Sequence, residues 1–89
     1  MKVLLDFVLR EVAGETLLIP AGRTALNLNG MLTLNELGAE IWRMLPEAKN
    51  EEEIISKILE EYDAQPEEVR RDVAEFLGKL RELGIIENS

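Results

Sequence analysis

The spacing of hydrophobic positions along this chain changes once, near residue 34, and divides it into a strand-forming third and a helix-forming remainder. In residues 3–12, VLLDFVLREV, Phe7 and Leu9 stand among alternating polar positions, which predicts a strand over residues 6–12 and a turn at Ala13-Gly14-Glu15. TLLI, residues 16–19, is the returning strand, ended by Pro20, which has no N–H to give to a ladder. Farther on, Asn29-Gly30 lies between ALNL and MLTL, a strong short-range hairpin signal that predicts two more short strands, residues 25–28 and 31–34.

From Asn35 onward the period is helical. Leu37, Ile41 and Leu45 recur every fourth position behind Asn35, which is placed to cap the helix they define. The same stretch holds Trp42, the one tryptophan, whose large apolar area makes it the expected central anchor of the core. Asn50 and Glu53 form a capping-box pattern ahead of Ile54, Ile55, Ile58, Leu59 and Tyr62, predicting a second helix over residues 51–62. Its opening run Glu51-Glu52-Glu53 suits a first turn, where the backbone dipole favours negative charge. Pro66 at the start and Gly84 at the end bracket a third helix with the apolar stripe Val69, Val73, Phe76, Leu80 and Leu83. A flank of Arg70, Ala74, Leu77 and Arg81 lies beside that stripe and is not needed to seal it, while Ile85 and Ile86 are expected to pack back after the glycine. The fold class that follows is α+β: a small antiparallel sheet of three to four short strands, then three helices, in a winged-helix-like arrangement.

Length and charge narrow what such a fold can do. At 89 residues the chain is expected to form one domain, residues 1–89, with a modest core. There are 18 acidic and 10 basic residues, for a net charge of −8. Residues 1–34 are neutral, Lys2, Arg10 and Arg23 balancing Asp6, Glu11 and Glu15, so the helical part carries the whole excess. A surface of that sign repels phosphate, and the second helix sets five glutamates against Lys57 alone, so no nucleic-acid partner is expected. No histidine or cysteine is present, which removes the usual general base, thiolate nucleophiles and imidazole or thiolate metal ligands. The expectation is therefore no enzyme, no catalytic residues, no cofactor and no metal. Apolar runs stay far below the roughly 20 residues of a membrane span, so no membrane partner and a cytoplasmic location are expected.

Four segments, in order, carry a resemblance: LNELGAEIW, EEYDAQPEEV, DVAEFLGKL and the closing LGII. Together they resemble the PqqD family, small winged-helix-like peptide chaperones whose domain is the recognition element for ribosomally synthesised, post-translationally modified peptides. The likeness extends over roughly residues 6–86. One departure is the AGRTALNLNG stretch, residues 21–30, longer than the tight turn of the shortest members, which bears on which strand forms the edge.

The resemblance implies binding without catalysis. In the family the leader of a precursor peptide adds as a strand to the third strand of the sheet, with its side chains in a groove against the third helix, and is presented to a modifying enzyme such as a radical SAM maturase. Main-chain hydrogen bonds supply affinity in such an arrangement and alternate side-chain pockets supply specificity. Carried onto this sequence, the docking strand is Met31, Leu32, Thr33 and Leu34, and the facing wall is Arg70, Ala74, Leu77 and Arg81. Two other functions compete: a winged-helix transcriptional regulator, which the acidic helices oppose, and a structural subunit that forms a homodimer through its edge strand.

Overall fold

The structure is a computed structural model that describes residues 1–24 and 31–87. The predicted strand over residues 25–28 and the Asn29-Gly30 hairpin lie outside the described residues. Phe7–Val12 (β1) and Glu15–Pro20 (β2) form a hairpin in which Val12 sits opposite Glu15, leaving Ala13-Gly14 as the whole loop. Ala13 has φ of 50° and Gly14 of 82°, the paired left-handed conformations of the tight turn whose twist matches antiparallel strands. Glycine accepts that conformation freely and alanine does not.

Leu32–Leu34 (β3) pairs antiparallel with β2, Thr33 opposite Leu17, so the order is β1-β2-β3. The predicted strand began one residue earlier, whereas Met31 precedes the ladder and is 57 % exposed. Period-2 alternation then puts Phe7, Leu9, Leu18, Leu32 and Leu34 on the face that meets the helices. Leu18 and Leu34 are buried there and Leu32 is half-buried.

Three helices follow among the described residues: Glu36–Met44 (α1), Glu51–Glu61 (α2) and Pro66–Glu82 (α3). Each terminus has a local chemical reason. Asn35 accepts a hydrogen bond from the Gly38 N–H at 2.7 Å and Asn50 one from Glu53 at 2.9 Å, satisfying donors that a helix start leaves over. Pro66 opens α3 where no N–H is needed. At its other end the Gly84 N–H reaches the Arg81 carbonyl (3.0 Å), and the Ile85 N–H reaches Leu80 (2.9 Å). With Gly84 at φ 74°, these two bonds make a Schellman stop that turns Ile85 and Ile86 into the core, as the sequence predicted. Ile86 bridges Val3, joining the last described segment to the first.

The core is aliphatic: Ile41 and Leu45 of the α1 segment, Ile54, Ile55 and Ile58 of α2, and Val69, Val73, Leu77 and Leu80 of α3. Trp42 is not its central anchor. Because Ile41 and Leu45 take the inward line of α1, Trp42 falls about 100° around the helix. There it is half-buried at the sheet margin, with its ring 6.2 Å from that of Phe7 at 76°. Within α3, Leu77 is fully buried and Phe76 is half-buried, while Leu83, just past its end, is exposed. The inward line thus runs Val69, Val73, Leu77, Leu80, and Leu77 does seal the core, contrary to the reading from spacing alone.

Candidate functional site

Among the described residues β3 has a strand partner on one side alone. Opposite Leu17, whose own backbone groups face β1, Thr33 directs its N–H and C=O away from β2, and a sheet edge of that kind is a template for another strand. Thr33 projects to the exposed face, while Leu32 and Leu34 lean toward α3.

Beside this edge a trough opens along α3. A hollow of about 120 Å³ lies next to β3, with Leu32, Leu34, Phe76 and Lys79 in its wall. Asn35, Phe76 and Lys79 also border a second hollow of about 290 Å³, which extends over Gly38 and Leu37 of α1. Gly38 forms part of the floor for a steric reason: a Cβ there would stand 3.3 Å from the Phe76 ring and 3.2 Å from Asn35 Oδ1. Its bare backbone lets Phe76 lie across α1. Asn35, Leu37 and Asp72 lead in turn to a third hollow of about 650 Å³ between α1, the end of α2 and the start of α3.

The structure redistributes the residues expected to face β3. Met31, Leu32, Thr33 and Leu34 are together at the edge, with Met31 ahead of the ladder. On α3, Phe76 and Lys79 face β3, whereas the Arg70, Ala74, Leu77 and Arg81 flank is turned elsewhere. Arg70 makes an ion pair with Glu52, and Arg81 lies 3.9 Å from Glu51, so both arginines are committed to the first turn of α2. The hydrogen bond from Arg70 holds the Glu52 carboxyl below its ordinary range. Ala74 is exposed, and Leu77 is in the core rather than in a groove. The physical reason is that α3 has two flanks, one toward α2 and one toward β3 and α1, and the spacing of apolar residues is the same seen from either. Phe76 carried the missing signal. It is the largest apolar residue of α3 and stands one position off the inward line, where an aromatic with an exposed edge belongs to a surface.

Chemically the trough offers an open backbone edge, an aliphatic and aromatic floor and charged rims. Among the described residues no three histidine, cysteine, aspartate or glutamate side chains converge as a metal site would. No described helix is long and apolar enough to cross a membrane.

Fold and groove together define a class: a small α+β protein that sets an open strand edge beside a helix-walled trough. The chain belongs to the PqqD family, described as coenzyme PQQ synthesis protein D, whose sequence profile matches residues 9–86. It is similar to the solved structure of TbiB1 in complex with the TbiA(beta) leader peptide, at 28 % identity over 100 % of this chain and 98 % of that one, with a TM-score of 0.73. A lasso peptide synthetase B1 complexed with the leader peptide shares the fold, at 17 % identity over 99 % of this chain and 100 % of that one, TM-score 0.71. Among curated protein sequences nothing matches this chain.

Proposed function

We propose that this protein binds the leader of a ribosomally made precursor peptide as an added strand on β3 and presents it to a separate modifying enzyme, itself doing no chemistry. The observation that carries the reading is the open edge of β3 beside the Phe76–Lys79 trough. Support comes from a 28 %-identical neighbour of the same fold that was solved with a leader peptide. The chain acts as one domain, residues 1–89, in the cytoplasm, where precursor and ribosome meet. Its partners are the precursor and a modifying enzyme of the peptide-maturation kind, radical SAM maturases being the example the sequence resemblance suggests.

In this reading the main chain of Leu32, Thr33 and Leu34 pairs with the leader, with Met31 at the entrance. Leader side chains on one face drop against Phe76 and the stem of Lys79, which take the role first assigned to Arg70, Ala74, Leu77 and Arg81. The test is a fluorescence-anisotropy titration with the leader of a precursor encoded beside this gene. Thr33→Ala keeps the backbone able to pair and should bind as the parent does. Thr33→Pro lacks an N–H and obstructs the ladder, so binding should be lost while circular dichroism reports a folded chain. Lys79→Asp, an exposed change, should weaken binding independently of any effect on the hairpin. Parental affinity in folded Thr33→Pro and Lys79→Asp proteins would overturn the assignment to β3.

A further inference from the structure

The largest hollow of the trough has a charge character that helix chemistry accounts for only in part. Leu37, Ile58 and Val69 give it an apolar floor, and its charged lining is Glu36, Asp63, Glu68 and Asp72 with no basic residue. Ion pairs among the described residues join Arg43 to Glu40, Arg70 to Glu52 and Arg81 to Glu51, and none engages these four carboxylates. Glu36 and Glu68 occupy first helical turns, where the backbone dipole favours an acid. Asp72 lies a turn deeper in α3. Asp63 is worse placed, because it follows the C-terminus of α2, the negative end of the dipole, and the last turn of α2 holds no basic residue. Burial, then the charges of Glu40, Glu36 and Glu61, push the Tyr62 phenol in this wall above its ordinary range, against the opposing charge of Arg43. An apolar-floored hollow of about 650 Å³ whose lining carboxylates enter none of these ion pairs, continuous with the trough beside β3, has the complement of a cation on a hydrocarbon stem.

Resting on the peptide-binding reading above, we propose that this hollow selects a lysine or arginine of the bound peptide, a few residues N-terminal to the segment that pairs with β3. The stem lies along Leu37, Tyr62 and Val69, and the charged head sits in the negative field of the rim that Asp63, Glu68 and Asp72 line. Continuity makes one peptide long enough to reach both places: the hollow shares Asn35, Leu37 and Asp72 with the middle of the trough, which shares Phe76 and Lys79 with the β3 end. Along α3 from Leu80 to Glu68 the distance is about 18 Å at 1.5 Å per residue. Extended peptide covers that in roughly five to six residues. Direction follows from extending the antiparallel order of β1, β2 and β3 by one strand. A strand laid antiparallel on β3 passes Leu34 and Asn35 with its N-terminal part, so the cation precedes the paired segment. Lys79 at the other end gives the groove a polarity, so that a peptide with an acidic residue in the N-terminal position is repelled rather than merely unbound.

Selection from a random displayed peptide library on immobilised protein tests this without assuming a leader. The parent should enrich peptides with a Lys or Arg at a fixed offset before an alternating apolar segment. Replacing that cation by Met in the best peptide should weaken binding about tenfold, less at high salt. On the exposed double variant Glu68→Lys/Asp72→Lys, shown folded by circular dichroism, the preference should move to Asp or Glu. Enriched alternating peptides that lose affinity on Thr33→Pro yet show no basic preference would overturn the cation site and leave strand addition standing. Enrichment of no peptide by the parent would overturn both.

Discussion

Replacing Leu77 by alanine discriminates most sharply between a groove wall and a core, because the side chain is 0 % exposed among the aliphatic residues of α2 and α3. The substitution removes roughly three methylene-sized groups, worth about 2.4 kcal/mol at about 0.8 kcal/mol each. A residual void of roughly 50 to 80 Å³ adds about 1 to 2 kcal/mol at about 24 cal/mol per Å³. The sum, about 3.5 to 4.5 kcal/mol, is a large share of the roughly 4 to 13 kcal/mol that a chain of 89 residues can be expected to have. For a domain of this size each kcal/mol lowers Tm by about 4 to 8 °C, so thermal unfolding followed by circular dichroism should shift down by at least about 15 °C. Ala74→Ser, three residues away on the exposed surface, should move it by no more than about 0.5 kcal/mol. A Leu77→Ala protein that melts within about 5 °C of the parent would refute the packing of α3 described above and return Leu77 to the surface.

Other outcomes follow from single features. Ala13→Asn should raise Tm by a few degrees, since asparagine tolerates the positive φ that alanine adopts there at a cost of about 1 kcal/mol, and a fall in Tm would contradict the turn geometry. Glu52 has a folded-state pKa below the ordinary 4.5, so its pairing with Arg70 stabilises the fold above that value and the contribution disappears as pH falls through the lower folded-state value. The difference in Tm between parent and Glu52→Gln should accordingly be present at pH 7 and shrink on acidification below the ordinary carboxylate range, and a difference that grows on acidification would reverse the sign. With the excess charge on the helices, no duplex DNA complex should form at physiological salt; a micromolar, salt-sensitive one in a gel-shift titration would favour a regulator.

Much of the fold was legible because local chemistry specifies it: Asn35 and Asn50 as caps, Pro66 and Gly84 as the bounds of α3, and the alternation that orients β3. The edge position of β3 was pointed to by the family resemblance, since no local signal says that a strand will be an edge. Which residues of α3 face it was not legible. Periodicity locates an apolar stripe to within a residue, and on α3 both Phe76 and Leu77 satisfy it; only the positions of α2 and β3 decide which goes inside. Trp42 misled for a related reason. Size favours burial, but the phase set by Ile41 and Leu45 left it at the sheet margin beside Phe7. The acidic hollow was invisible in sequence because Glu36, Asp63, Glu68 and Asp72 come from two helices and a loop, and each looks like ordinary solvated charge on its own.

The central claim is that a peptide becomes the next strand on β3, and nuclear magnetic resonance of isotopically labelled protein with a bound leader addresses it directly. Cross-strand contacts should appear between the peptide and Leu32–Leu34, with slowed amide exchange there and shifts at Phe76 and Lys79. An unchanged β3, with shifts instead at the outer edge of β1 or around Arg70 and Arg81, would contradict it.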